Sequence, residues 1–284
     1  MKATTRVTLA LVTAVCLQQI ASAQLQLIPT RDDRVSYIHH HIYTSSLDAQ
    51  KKFWVDTLGG KFAGKLLTLP VEIVKFRNVQ VLLSPQAPTG GSKGSTVNHI
   101  GFLVPDVRAM VSRLKAAGYP IVTRTELPNA TGDVYVANES TSLAFVMAPD
   151  DVKVEFIEDR SMKEPILSHH VHFAAANVDE VKAWYVKVFG AKPGKRGAFE
   201  AADVPGVNLT FAPSPDPVVP TRGRAFDHVG FEIKNLEEFC KDLQARGIKL
   251  DRGYAKAAGS SLAVAFLTDP WGTKIELTEG LDGL

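Results

Sequence analysis

The chain has 284 residues, with 32 Lys plus Arg against 30 Asp plus Glu and only two cysteines. Near neutrality excludes the basic footprint of a nucleic-acid binder or a polybasic membrane surface, and so few cysteines exclude a disulfide framework. A small molecule is the partner class that remains.

In chain order, Lys2 and Arg6 precede the apolar run 7–17, and Ala21, Ser22 and Ala23 supply the small residues a signal peptidase reads. A cleavable signal peptide over 1–23, cut after Ala23, predicts a secreted or periplasmic protein. Cys16 would suit a lipid anchor only if a small residue stood at Val15, so anchoring is the lesser reading. Removing 1–23 takes away two basic residues, leaving 30 charges of each sign and Cys240 alone. No later stretch is apolar for long enough to predict a membrane span.

Four similar quarters follow. Each opens with a β-type run (35–44, 97–104, 166–175, 226–233) and then a helix begun by a capping or turn residue, Ser46, Asp106, Asn177 or Asn235. In the third quarter Val178, Val181, Tyr185 and Val188 recur at helical spacing. Two or three further strands complete each quarter, such as 71–77 and 79–84. Pro- and Gly-rich stretches at 85–94 and 213–223 separate quarters within each half. Four βαβββ units fit the chain.

The halves repeat each other. The segment 53–61 matches 184–192 at an offset of 131, and His99-Ile100-Gly101-Phe102 matches His228-Val229-Gly230-Phe231 at 129. So small a drift means duplication, with domains at 33–160 and 161–284. The repeat carries metal-ligand residue types twice in the same order: His39, His99 and Glu155, then His170, His228 and Glu276. Two imidazoles and a carboxylate on one face leave other positions of a divalent ion open to substrate. Strand alternation puts His41 beside His39 and His172 beside His170, and turns His40 and His169 away.

Paired βαβββ units, a first-strand His, the His-[Ile/Val]-Gly-Phe strand and Asp269-Pro270-Trp271-Gly272-Thr273-Lys274-Ile275-Glu276 together resemble the vicinal oxygen chelate (VOC) superfamily. That group contains glyoxalases, bleomycin-resistance proteins, fosfomycin-modifying enzymes and extradiol dioxygenases. The resemblance implies an α+β fold of two tandem VOC domains, each a pair of units closing into a cup-shaped, mostly antiparallel sheet with helices outside. It implies at most one divalent ion per domain (Fe, Mn, Ni or Zn) on His39, His99 and Glu155 or on His170, His228 and Glu276. The second set is favoured because its Asp-Pro-Trp-Gly turn is fuller than Ala148-Pro149-Asp150-Asp151.

Departures narrow the chemistry. Glyoxalase I uses a fourth protein ligand, a Glu that also serves as base, and matching strand ends at Pro85 and Pro213 puts Gln80 and Asn208 there. An amide cannot take up a proton as a carboxylate does. Extradiol dioxygenases want a Tyr where Phe266 stands, with Tyr254 as a displaced substitute. Fosfomycin-modifying enzymes need cations, for which Arg222, Arg224, Lys195 and Arg196 are available, although solvated loop charges are the plainer reading of these. Trp54 and Trp184, at helix spacing, read as core, while Phe199 and Phe211 could line an apolar cleft. The expectation is an exported metalloenzyme acting on a small substrate chelated through vicinal oxygens, its reaction class open among lyase, isomerase, dioxygenase and transferase. The alternative is a non-catalytic binder of the bleomycin-resistance type. His41, Gln80, His172, Asn208 and Tyr254 are the substrate-pocket candidates, and a homodimer is compatible with the sequence.

Overall fold

A computed structural model describes residues 34–138 and 141–283. The expected signal peptide, 1–23, lies outside the described residues. Among those residues no helix is long and apolar enough to cross a membrane.

Four βαβββ units are present. The first comprises β1 (Val35–Tyr43), a helix over Leu47–Lys51 continuing as a π-helical turn at Lys52–Thr57, β2 (Lys61–Lys65), β3 (Glu72–Lys75) and β4 (Gln80–Ser84). The second has β5 (Val97–Val104), a helix at Val107–Ala116, a short helical turn at Thr123–Glu126, then β6 (Tyr135–Asn138), β7 (Thr141–Ala148) and β8 (Val152–Glu158). The third has β9 (Leu167–Ala175), a helix at Val178–Phe189, β10 (Lys192–Arg196), β11 (Phe199–Val204) and β12 (Val207–Pro213). The fourth has β13 (Phe226–Ile233), a helix at Leu236–Ala245, β14 (Arg252–Lys256), β15 (Ala263–Thr268) and β16 (Lys274–Glu279).

Two of the four helix starts are capped as expected. Ser46 Oγ accepts from Ala49 N at 3.2 Å, and Asp106 Oδ1 accepts from Ala109 N at 2.9 Å, each satisfying an N–H that has no partner inside its helix. Asn177 makes no side-chain cap. Asn235 turns the chain instead, with φ of 56°, and the Glu279 carboxylate accepts from the N–H groups of Asn235 and Leu236.

The strands form two eight-stranded sheets, ordered β14-β15-β16-β13-β1-β4-β3-β2 and β10-β11-β12-β9-β5-β8-β7-β6. Within each, the first strand of a unit runs parallel to that unit's last strand, and the remaining pairs are antiparallel. The sheets are thus mixed and mostly antiparallel, and the α+β expectation holds.

The pairing of units is not the consecutive one that the sequence suggested. The first unit closes with the fourth and the second with the third. Connection lengths account for this. Only residues 159–166 separate β8 from β9, so β9 returns directly beside β5, with Leu103 opposite Leu167. The linkers 85–96 and 214–225 are longer and run beside each other, tied by Thr89 N–H to Gly223 O and Ala225 N–H to Gly90 O, both 2.8 Å. Once units two and three have paired, only each other's edges remain for units one and four. Both cups therefore close within one chain, and neither needs a second subunit.

A continuous apolar core joins the sheets to the helices. Trp54 is fully buried in it and Trp184 packs partly buried against it, as their spacing implied, while Phe211, expected as a cleft residue, is buried in the core. His40 also points into the core, where its Nδ1 meets Tyr37 Oη at 2.6 Å.

Candidate metal centres

The crossed pairing regroups the ligand residues. His39 comes to His228 and Glu276 on the first sheet, and His99 comes to His170 and Glu155 on the second. The expected sets, His39 with His99 and His170 with His228, are each divided between the two sheets. All six residues nonetheless face a cup, and each cup still receives two imidazoles and one carboxylate.

Strand register brings each cluster together. On the first sheet Gln80, His39, Gly230 and Glu276 lie side by side across four neighbouring strands. On the second, Asn208, His170, Gly101 and Glu155 form the equivalent row. Paired residues share a face, so the amide positions inferred from the strand ends stand next to the first-strand histidines. The glycine in each row makes room for the neighbouring ring. A Cβ at Gly230 would lie 2.0 Å from His39 Cε1, and one at Gly101 would lie 1.9 Å from His170 Cε1. The glycine of each His-x-Gly-Phe strand is thus part of the site, two residues beyond a ligand histidine and on its face.

In the first cup, Glu276 Oε2 lies 2.9 Å from His228 Nε2, 3.1 Å from His39 Nε2 and 3.9 Å from His41 Nδ1. His39, His41, His228 and Glu276 each offer a ligand atom within 4.8 Å of the others, and all are buried. Asp227 accepts from His228 Nδ1–H at 2.5 Å and is itself paired with Lys274 Nζ at 2.6 Å. With Nδ1–H donated to Asp227, a neutral His228 ring would present its Nε2 lone pair to the Glu276 carboxylate, an arrangement that a cation between them would complete. Both ring nitrogens of His39, Nδ1 of His41 and Oε1 of Gln80 are buried without a hydrogen-bond partner. Orphaned buried polar atoms are rare unless something occupies the space between them. A divalent ion on His39, His228 and Glu276, with Gln80 Oε1 at hand, fits this donor chemistry.

Burial favours the neutral carboxyl of Glu276, but the His228 and His39 rings that face it at 2.9 and 3.1 Å outweigh burial and hold the group well below the usual carboxylate range. Burial pushes the His39 and His41 rings down, against the attraction of Glu276. At neutral pH the cup holds a charged carboxylate and unprotonated His39 and His41, the states metal ligation requires. Its walls are apolar: Ile38, Leu66, Val71, Ile73, Leu82, Leu262 and Leu281 pack together beside it, and Gln80 Nε2–H donates to Leu281 O at 3.2 Å.

The second cup differs. Glu155 Oε2 lies 3.0 Å from both His99 Nε2 and His170 Nε2, but Arg196 enters the cluster, with Nη2 3.3 Å from His170 Nε2 and 4.0 Å from Glu155 Oε2. Asn98 takes the place of Asp227, its Oδ1 3.0 Å from His99 Nδ1. Asn208 already has partners, donating to Asp203 at 2.6 Å and accepting from Thr210 Oγ1–H at 2.7 Å. His172 stacks on His99 with ring centroids 4.3 Å apart.

His41 and His172 thus line the cups as alternation implied. His169 does not turn away, because the β5–β9 register skips it and the bulge re-aims its ring, putting its Nδ1 2.9 Å from His170 Nδ1. Tyr254 is half-buried against the hydrophobic core, not in a cluster. Phe266 does lie in the first cup, its ring 5.9 Å from that of His228. Of the four cations considered, only Arg196 reaches a cluster. Lys195 pairs with Glu200 and Arg222 with Asp251 at the surface, and Arg224 Nε–H donates to Gly91 O. Asp227 and the two glycines were missed in the sequence, although each stands one or two residues from a ligand histidine.

The family model described as Glyoxalase/Bleomycin resistance protein/Dioxygenase superfamily matches residues 36–156 and 167–277. The "Probable lactoylglutathione lyase, chloroplastic" of Arabidopsis thaliana is 23% identical over 305 aligned positions, covering 95% of this chain and 82% of that protein. The lactoylglutathione lyase of Salmonella typhimurium is 35% identical over 60 residues, 21% of this chain and 44% of that protein. Among solved structures, glyoxalase I from Zea mays superposes with a TM-score of 0.66 at 18% identity, covering 88% of this chain and 94% of that one.

Proposed function

Because the chain belongs to the Glyoxalase/Bleomycin resistance protein/Dioxygenase superfamily, we propose that it is an exported, metal-dependent lyase of the glyoxalase kind, working in the cup of His39, His228 and Glu276. One observation carries this reading: a buried carboxylate faces two ring nitrogens at 2.9 and 3.1 Å, while an unprotonated third histidine, His41, stands beside it. A divalent ion there would polarise two adjacent substrate oxygens and stabilise negative charge developing on them.

The protein's own residues do the rest. Asp227, held by Lys274, orients His228 so that its Nε2 faces Glu276. His41 Nε2 lies 2.7 Å from Ser84 Oγ, and the tautomer that donates to this hydroxyl keeps the Nδ1 lone pair for a substrate proton. Burial keeps the ring unprotonated at neutral pH, and the carbon acid of such a substrate needs a proton acceptor to move a proton between neighbouring carbons. His41 thereby supplies the proton acceptor that Gln80 cannot be. Gln80 holds an oxygen in place, and the apolar wall of Leu66, Leu82 and Leu281 excludes water.

The names of the relatives supply the first substrate to try. Lactoylglutathione breakdown and formation, followed by thioester absorbance with and without added Ni(II), Zn(II), Mn(II) or Fe(II), should show turnover that His41→Phe lowers by about 10²-fold or more. Tight ligand binding with no turnover under any metal would favour the sequestering alternative and reject the lyase.

A further inference from the structure

Arg196 separates the two cups. Its Nε–H donates to Thr210 Oγ1 at 2.8 Å, the Thr210 hydroxyl donates to Asn208 Oδ1 at 2.7 Å, and Asn208 Nδ2–H donates to Asp203 Oδ1 at 2.6 Å. This chain of bonds fixes the guanidinium at one end and aims Nη2 at His170 and Glu155. The β10 strand carries Arg196 opposite Phe199, whose aromatic face it also covers at 5.9 Å.

The first cup has none of these parts. By strand pairing, counted from the Lys75–Gln80 and Asp203–Asn208 pairs, Leu82 stands where Thr210 does and Leu66, bonded to Val71, stands where Arg196 does. Both leucines are buried in the apolar wall. Gln80 therefore keeps an unpartnered Oε1, whereas the equivalent oxygen of Asn208 is occupied.

The charges follow. Among the described residues no Lys or Arg pairs with Glu276 in the first cup, and Lys274 is paired with Asp227. Glu155 has a guanidinium 4.0 Å away, and Arg196 Nη2 stands 3.3 Å from His170 Nε2, the ring nitrogen that would bind a metal. A divalent ion added there would sit within a few ångströms of a held positive charge, in a partly desolvated site where screening is weak.

We propose that Arg196, locked by Thr210 and Asn208, takes the metal's place in the second cup, so that this chain loads a single divalent ion, at His39, His228 and Glu276. The inference rests on the metal-cup reading above and assigns Arg196 as the residue that decides which duplicate binds metal.

Elemental analysis after dialysis against Zn(II) or Ni(II) tests it on the full chain. The expected result is about one ion per chain, lost in Glu276→Gln and kept in Glu155→Gln. Arg196→Leu, which copies the first cup, should raise the ratio to about two, and the added ion should vanish when Glu155→Gln is combined with it. Arg196→Gln serves if the leucine variant fails to fold, as judged by circular dichroism. Two ions in the wild type, none, one that depends on Glu155, or a folded Arg196 variant still at one would each overturn the proposal. Absence of lyase turnover alongside a single Glu276-dependent ion would reject the proposed reaction and leave this assignment intact.

Discussion

Gly230→Ala should uncouple His39 from the metal without touching any ligand. The new Cβ would stand 2.0 Å from His39 Cε1, 2.1 Å from Nδ1 and 2.4 Å from Nε2, where ordinary contact begins at 3.4 Å. The ring must withdraw by more than 1 Å, and His39 is fully buried, so the only route is a rotamer change or a shift of β1 against β13. Metal bonds tolerate roughly 0.2 Å, so His39 leaves the coordination sphere. Loss of one of three ligands should weaken Zn(II) or Ni(II) binding by at least about 100-fold, or ~2.8 kcal/mol at 1.4 kcal/mol per tenfold. Overpacking should cost a further ~1–3 kcal/mol of stability. Gly101→Ala is the matched control, since its Cβ would meet His170 as closely at 1.9 Å and should cost similar stability in urea while leaving calorimetric metal affinity unchanged. Wild-type affinity in Gly230→Ala would refute the view that this glycine exists to admit His39.

Three further outcomes are expected. Asp227→Asn should reduce metal affinity by about 10–100-fold, because the buried charge that orients His228 is gone; competition with a chromogenic chelator reads this, and no change would show that Lys274 and Asp227 serve stability alone. His40 is fully buried and its pKa is pushed down to about 3, by burial first and the charge of His39 second. The unfolded chain protonates it near its ordinary pKa of ~6.5 and the folded chain does not, so its contribution is complete above that pH and is lost progressively as pH falls toward 3, at about 1.4 kcal/mol per unit. Urea unfolding at pH 7 and pH 5 should differ by ~2 kcal/mol more in the wild type than in His40→Gln, and equal differences would remove His40 from the account. Expression with 1–23 intact should yield exported protein beginning at Gln24, and an uncut N-terminus by intact mass would reject the signal peptide.

Much of the fold was legible because duplication leaves offsets of 131 and 129 that no local propensity can imitate. The ligand residues were legible for the same reason, and His41 and His172 followed from alternation. Spacing along the chain, however, does not say which strand lies beside which. The clue was there in the linkers, since a connection over 159–166 is too short to let unit three go elsewhere, while 85–96 and 214–225 can cross. Bulges defeat alternation locally: the extra residue at His169 sends its ring to His170, and Ile38 occupies the same bulge in β1, where Tyr37 and His39 pair with Phe231 and Gly230. Arg196 reads in sequence as one of several loop-edge cations. Only the Thr210–Asn208 chain distinguishes it from Lys195, which faces solvent one residue earlier.

The two cups show how a duplicated site can diverge without losing a single ligand. His39 and His170, His228 and His99, and Glu276 and Glu155 are all retained, and both glycines that admit the first-strand ring are kept. What changes is the surrounding shell: Asp227 against Asn98, Leu66 against Arg196, Leu82 against Thr210. The two differences in charge act in the same electrostatic direction, and Thr210 holds Arg196 in place. Asp227 adds negative charge behind one ligand, and Arg196 adds positive charge in front of the other, where repulsion with a divalent ion at ~4 Å is on the order of several kcal/mol even at the effective dielectric of a protein surface. Ligand identity alone therefore predicts two metal sites, and the neighbours select one. Retaining Glu155 is consistent with this, because Arg196 needs a carboxylate partner as much as a metal would, so the same residue is held in place by either occupant.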